Sequence, residues 1–417
     1  MRKVSYILDE VFMYTKSDVL DFVQEEDVKF IRLAFFDITG KQKNISIMPG
    51  ELDRAFDSGI PFDASAVFGF ENPEKSDLIL LPDPSTLAII PWRPATGKVV
   101  RMFCNILNPD GSPYQKDSRT ILQNACQRLK EECGIEMMVG TEVEFYLFKL
   151  DEKGEATSEP FDKAGYMDIA PEDHGENIRR EICFTLEQMG IMPEASHHEE
   201  GPGQNEIDFH YSDALTAADN VATFKWIVNT KAASNGLYAD FSPKPIACKP
   251  GNGMHINISY RDIKKGTNPS DSKDSQKLLP YILGGILKYI EEITYFLNPA
   301  ENSYNRLGAS KAPEYISWGN HNRSTLIRVP SNKDGKRLEL RSPDPLCNPY
   351  LVLTLIIHAA IEGIKNKIEP SAPIEANLFD EEVAKQFSLK TLPKSLSGAR
   401  KLAEQSEFVK SVLGALL

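Results

Sequence analysis

MVGTEVEFYLFKL, residues 138–150, alternates as a strand does: Val143, Phe145 and Leu147 fall on one face, Glu142 and Glu144 on the other. Same-face neighbours on a strand lie roughly 6.6 Å apart. Two like charges on a half-buried face repel, so a cationic group is expected between or beyond them.

The pattern recurs. In GQNEIDFHY (203–211) Glu206 lies opposite Ile207 and Phe209, and in GMHINIS (253–259) His255 alternates with Met254 and Ile256. In KRLELR (336–341) Arg337, Glu339 and Arg341 share one face, Leu338 and Leu340 the other. Taken singly, each glutamate reads as a solvated strand face, and Arg337 and Arg341 as partners of Glu339 in a structural ion network. The joint pattern instead projects acids, one histidine and arginines onto a common surface. Carboxylate-rich sets with a single imidazole suit octahedral Mg²⁺ or Mn²⁺ better than zinc. Asp208 and His210 share the Glu206 face but read as structural. His197 and His198, in ASHHEEGPGQNE (195–206), form no HExxH motif and are placed at a loop or strand end.

No GxxxxGK[ST] is present, and GPGQNE stops short of GxGxxG, so neither a P-loop nor a dinucleotide fold has support. A nucleotide would have to be held by metals and arginines, and NHNRSTLIRVP (320–330) adds Arg323 and Arg328 to Arg337 and Arg341.

The 417 residues, 41% hydrophobic and 26% charged, describe an ordinary globular chain of two to three domains. A net charge of −13 argues against nucleic acid or an anionic membrane as partner. Six cysteines without a CxxC pair suit reduced thiols in a cytoplasm. Asp9, Glu10 and Lys16 interrupt any signal-peptide core, and PYLVLTLIIHAAIEGI (349–364) is too short to span a bilayer and reads as a buried helix. Short strand-like runs between residues 28 and 105 predict a small sheet domain. The turn signal NPDGSP (108–113), with Asp117 and Ser118 as caps for the helix that follows, sets the boundary: residues 1–107, then 108–417. Beyond it, strands alternate with helices in a large α+β unit. KKGTNPSDSKDSQK (264–277) reads as a solvated loop.

FDASAVFGF, SDLILLPDPST, GTEVEFYLF, ASHHEEGPGQNEIDF, PKPIACKPGNGMHINIS, NSYNRL, NRSTLIRVP and RLELRSPDPLCNPYL, in that order, resemble the successive motifs of type I glutamine synthetases. The resemblance implies a small N-terminal β-grasp domain and a large catalytic domain with a curved antiparallel sheet. It also implies a dodecamer of two stacked hexamers with active sites shared between subunits. By position it assigns one metal to Glu144, Glu199 and Glu206 and a second to Glu142, His255 and Glu339. Arg306, Arg323 and Arg341 would handle the glutamate carboxylates and the transferred phosphoryl group. Glu194, Ser259, Arg328 and Arg337 would lie along ATP, and Gly251 would touch the amino-acid substrate through its backbone. Asp63 (from the adjacent subunit), Tyr166 and Glu199 would line the ammonium pocket. The implied reaction converts the glutamate γ-carboxylate to an acyl phosphate, from which an amine displaces phosphate.

Three departures from the family pattern fall near the acceptor and substrate. Lys311, in RLGASKAPEY, stands where the family's flap carries a glutamate that helps deprotonate ammonium, with Glu314 three residues on as a substitute if the flap is rebuilt. Ala66 replaces a serine after Asp63, and Pro250 replaces an asparagine before Gly251. The expectation is a ligase that passes the γ-glutamyl group to a small primary amine. Authentic glutamine synthesis is the alternative, and a non-catalytic sensor or scaffold a third reading.

Overall fold

The computed structural model of the chain describes residues 14–263, 277–330 and 336–417. The charged start of the chain and the expected loop at 264–277, Lys277 apart, lie outside the described residues. Among the described residues no helix is long and apolar enough to cross a membrane. All six cysteines are unpaired thiols. The chain divides into two compact units, one running through Thr120 with Gln188–Gly190 added, the other comprising Ile121–Glu187 and Ile191–Leu417.

The first unit begins with helix α1 (Lys16–Glu25), started by a reciprocal cap in which Asp18 N–H donates to Thr15 Oγ1 and Thr15 N–H donates to the Asp18 carboxylate. Strands β1 (Val28–Phe36), β2 (Gln42–Ile47), β3 (Ile60–Asp63), β4 (Asp77–Pro82), β5 (Ala88–Ile89) and β6 (Lys98–Leu107) form a sheet of order β2-β1-β6-β4-β3, with β5 on β6. The β1–β6 pair is parallel and its neighbours antiparallel, the mixed sheet of a β-grasp domain. Its inner face supplies Ile31, Leu33, Leu80, Val100 and Met102, closed over by Val19 of α1 and Leu52 of α2 (Leu52–Ser58).

The second unit is built on β7 (Ile135–Leu150), entered from helix α3 (Ser118–Cys133). Asp117 caps α3, accepting from Arg119 N–H and Thr120 Oγ1, as its sequence position predicts. The further elements are β8 (Ala156–Pro160), α4 (Glu176–Gln188), β9 (Pro193–His198), β10 (Gln204–Phe209), β11 (Ser212–Asp213), α5 (Ala214–Ser234), β12 (Leu237–Asp240) and β13 (Met254–Asp262). After them come α6 (Leu279–Leu297), α7 (Ser303–Arg306), β14 (Trp318–Asn320), β15 (Ile327–Val329), β16 (Leu338–Leu340) and α8 (Pro349–Lys365). The sheet order is β14-β15-β16-β13-β7-β10-β9, with β8, β11 and β12 also on β7; only β14–β15 is parallel. Val143, Phe145 and Leu147 of β7 are wholly buried and pack toward α5, where Phe145 meets Phe224. α8 is buried over most of its length, as its sequence predicts. It crosses α6 so closely that a Cβ on Gly285 would lie 2.1 Å from Ala359 O, which is why glycine stands there.

Candidate active site

With the apolar face of β7 turned to the core, Glu142 and Glu144 face a cavity of about 490 Å³. Register completes the arrangement: His255 of β13 pairs with Glu142, while Glu206 and Asp208 of β10 pair with Glu144 and Glu142. Asn257 of β13 faces Glu339 of β16. Four strands thus deliver Glu142, Glu144, Glu206, Asp208, His255 and Glu339 from a sheet rather than from loops.

One cluster forms as the resemblance implies. The ligand atoms of Glu142, His255 and Glu339 lie within 4.8 Å of one another, with His255 Nδ1 at 3.2 Å from Glu142 Oε2 and 3.8 Å from Glu339 Oε1. Burial works against the Glu142 charge, but hydrogen bonds from His255 and Asn257 and the charge of Arg337 hold its carboxyl down at about 2. Glu339 is buried between Arg328, 2.5 Å from Oε2, and Arg341, 3.1 Å from Oε1. Of the ion network read from sequence, Arg341 pairs with Glu339 as expected, while Arg328 takes the place given to Arg337.

Glu144, Glu199 and Glu206 line the same cavity, but the close grouping beside them is His197, Glu206 and Asp208. Asp208 and His197, read from sequence as structural and as a loop or strand-end residue, both face the cavity. His197 Nε2 lies 3.0 Å from Glu199 Oε1 and 3.9 Å from Glu206 Oε1. That hydrogen bond raises the His197 imidazole, and the Glu199 carboxyl is lowered despite its burial. The opposite holds for their neighbours. Burial, then the charges of Glu144, Asp208, Glu142 and Glu199, push the Glu206 carboxyl well above its ordinary range. Glu144 is also raised, and Asp208 is pushed up to about 7. Among the described residues no amide, hydroxyl or cationic donor reaches the buried Asp208 Oδ1. A surface on which carboxylates cannot all hold their charge, and one buried oxygen has no donor, fits divalent cations with oxygen ligands.

The arginines divide. Arg306, Arg323 and Arg341 line the cavity. Arg306 donates from Nη1 to Ser342 O at 2.7 Å and from Nη2 to Arg341 O at 3.1 Å, so it also fixes the backbone that carries Arg341. Arg341 in turn donates to Arg323 O. Glu194, Ser259, Arg328 and Arg337 are not gathered into this cavity lining: Glu194 is exposed on β9, Ser259 sits farther along β13, and Arg337 Nε donates to Asn257 Oδ1 at 2.7 Å. Tyr166 lines the cavity, edge-on to His197 at 5.5 Å. In the first unit, the exposed Asp63 carboxylate accepts from Ser65 N–H at 2.9 Å and Ser65 Oγ at 2.6 Å.

Sequence reading missed Gln204. Its buried amide lies 3.1 Å from Glu144 Oε2, 3.2 Å from Gly251 O and 3.2 Å from Asn252 Oδ1, while its Oε1 accepts from Gly201 N–H. Tyr146, next but one to Glu144, donates its hydroxyl to Pro250 O at 2.7 Å. The loop carrying Pro250 and Gly251 is therefore pinned to the strand that carries the acids. A Cβ on Gly251 would fall 2.2 Å from the backbone oxygen of Pro243, so glycine is needed there, while one on Gly253 would fall 2.6 Å from Nη2 at the end of the Arg306 side chain.

Similarity to known proteins extends over nearly the whole chain. The glutamine synthetase β-grasp domain matches residues 27–109 and the glutamine synthetase catalytic domain residues 115–417. A glutamine synthetase of Methanosarcina mazei is 46% identical over 408 residues, covering 96% of this chain and 91% of that protein. One from Staphylococcus aureus is 42% identical over 407 residues, with coverage of 96% and 91%. Among solved structures, a GmaS–ADP complex superposes with a TM-score of 0.86 at 29% identity, covering 96% of this chain and 93% of that one. The Plasmodium falciparum glutamine synthetase, at 24% identity and a TM-score of 0.82, shares the fold, with coverage of 98% and 96%.

Proposed function

The chain belongs to the glutamine synthetase family and is an ATP-dependent ligase that forms a C–N bond, and on that premise we propose that it joins the γ-carboxyl of glutamate to a small primary amine. A γ-carboxylate oxygen attacks the γ-phosphorus of ATP and ADP leaves. The amine nitrogen then attacks the acyl carbon, and phosphate leaves with that oxygen. Divalent cations, Mg²⁺ or Mn²⁺, held by Glu142, His255 and Glu339 and by Glu144, Glu199 and Glu206, would supply positive charge to the polyphosphate and carboxylate oxygens.

The chain's own groups account for the rest. Arg323 and Arg341 offset charge on the transferred phosphoryl group, with Arg306 holding the Arg341 backbone and facing the substrate carboxylates. Gly251 presents its backbone to glutamate. Glu194, Ser259, Arg328 and Arg337 are assigned to ATP by family resemblance. An alkyl amine, with a pKa of ~10, arrives protonated, and Glu199, which lines the cavity with Tyr166, would attract it and take a proton. Asp63 is assigned to the same pocket from an adjacent subunit, in a cytoplasmic dodecamer.

The observation that carries the amine reading is at the cavity mouth. Lys311 lines the cavity where the family flap would bring a glutamate, and Glu314 pairs with Lys394. Glutamine synthesis remains the second reading, favoured by the name of the 46% identical relative. Phosphate release with Mg²⁺, ATP and glutamate, measured with ammonium and with a panel of primary amines and followed by mass analysis of products, decides between them. Turnover confined to an amine supports the first; saturation by ammonium at low concentration, with glutamine as product, replaces it with the second.

A further inference from the structure

The turn between β9 and β10 places Glu200 directly after Glu199, and its N–H donates to Glu199 Oε2 at 2.8 Å. Glu200 and Lys311 both line the cavity, and Lys311 Nζ lies 2.9 Å from Glu200 Oε2. This ion pair joins the loop after α7 to the turn that carries the candidate metal ligand Glu199. The Lys311 side of the pair is held under strain. Ser310 (φ +45°) and Lys311 (φ +68°) are consecutive non-glycine residues in the left-handed region, a conformation that costs of order 1 kcal/mol or more per residue. The loop around them is closed by Ala309 N–H to Arg306 O, Ala312 N–H to Ala309 O and Gly308 N–H to Ala312 O. The fold thus keeps Lys311 over the cavity by tying its loop to Arg306, itself a lining residue.

The pair is half open to water, with side chains 67% and 44% exposed, which makes it a weak and exchangeable contact. Glu200 is also a lining carboxylate, adjacent in the chain to Glu199, so displacing Lys311 leaves a carboxylate beside the Glu199 backbone free to take a cation. We propose that Glu200 and Lys311 are the specificity-determining pair of the acceptor pocket: Glu200 receives the protonated amine, and Lys311 is the counter-ion that the amine displaces. This rests on the ligase reading above. It restores to the pocket mouth, from another segment of the chain, the carboxylate whose place Lys311 takes, while the lysine sets a threshold that a weakly held cation does not pass.

The test compares the wild-type enzyme with Lys311→Met, Glu200→Gln and the double variant, measuring KM and kcat for the acceptor, glutamate and ATP at low and moderate ionic strength. Removing the competing ammonium lowers the acceptor KM by about threefold or more, most at low salt. Removing the carboxylate raises the acceptor KM by about tenfold, the loss of one charge-assisted hydrogen bond. In both, KM for glutamate and ATP stays within about twofold, because neither contact involves those substrates. The double variant behaves as Glu200→Gln alone, since Lys311 acts through Glu200. An unchanged or raised acceptor KM in Lys311→Met overturns the inference, as does an effect confined to the KM of glutamate or ATP. Failure of the wild-type enzyme to release phosphate with any acceptor overturns the ligase reading itself, and the pair's role with it.

Discussion

Glu206 stands directly opposite Glu144 in the ladder between β7 and β10. Like charges so placed weaken a sheet, and burial raises both carboxyls. Divalent cation should therefore stabilise the protein visibly: at a hundredfold excess over Kd the gain is about 2.7 kcal/mol. Thermal unfolding with Mg²⁺ and with EDTA measures it. Glu206→Gln should raise Tm in EDTA, where it removes the repulsion, and shrink the gain from Mg²⁺. A variant less stable in EDTA, with the Mg²⁺ gain intact, contradicts the role assigned to Glu206.

Gln204→Leu tests the pin between the acids and the loop that carries Pro250 and Gly251. The change leaves Glu144, Gly251 O and Asn252 Oδ1 without this donor, a loss of about 1–3 kcal/mol. The expected signature is a fall of about tenfold or more in kcat/KM for glutamate with a smaller change in KM for ATP. Equal losses for both substrates would make Gln204 a packing residue only.

Gly251→Ala should be worse than Gly253→Ala. The first sets a methyl 2.2 Å from the fixed carbonyl of Pro243, the second 2.6 Å from the end of the Arg306 side chain. Overpacking of this kind costs about 1–3 kcal/mol or more, and the backbone contact has less room to relax. Denaturant midpoints and glutamate KM for the two variants check the order.

His358 predicts a pH dependence away from the site. Arg128 Nη1 donates to His358 Nδ1 at 3.1 Å, so the ring accepts there and is neutral. Burial, then the charge of Arg128, pushes it down to about 4, against a weaker pull from Glu132. Below its ordinary value of about 6.5 the unfolded chain binds a proton that the folded chain refuses. The stabilising contribution, up to about 3 kcal/mol, is present above pH ~6.5 and is lost as pH falls toward ~4. His358→Gln keeps an acceptor for Arg128 without the titration. Urea midpoints at pH 7.5 and 5 should separate for the wild type by more than for the variant; equal separations would refute the assignment.

Alternation in residues 138–150 was legible because a period of two is a local property: β7 and both its faces follow from it, as α3 does from its cap and α8 from its apolar run. The Glu142, His255 and Glu339 cluster came from family resemblance together with alternation, and register supplies the physical reason those residues meet. Asp208 was legible in principle, since it shares the Glu206 face, but a face says nothing of what stands across from it. Gln204 gave no signal, because its three partners lie on other segments. The Glu200–Lys311 pair joins segments far apart in the chain, and the left-handed turn at Ser310 and Lys311 is not a feature that residue type announces.

Activation of the γ-carboxylate by phosphoryl transfer leaves an isotopic trace. Glutamate labelled with ¹⁸O in its γ-carboxylate, turned over with Mg²⁺-ATP and the preferred acceptor, should place one ¹⁸O in each phosphate released. Phosphate free of label, formed at the same rate, would mean that ATP is hydrolysed without an acyl phosphate and would contradict the account.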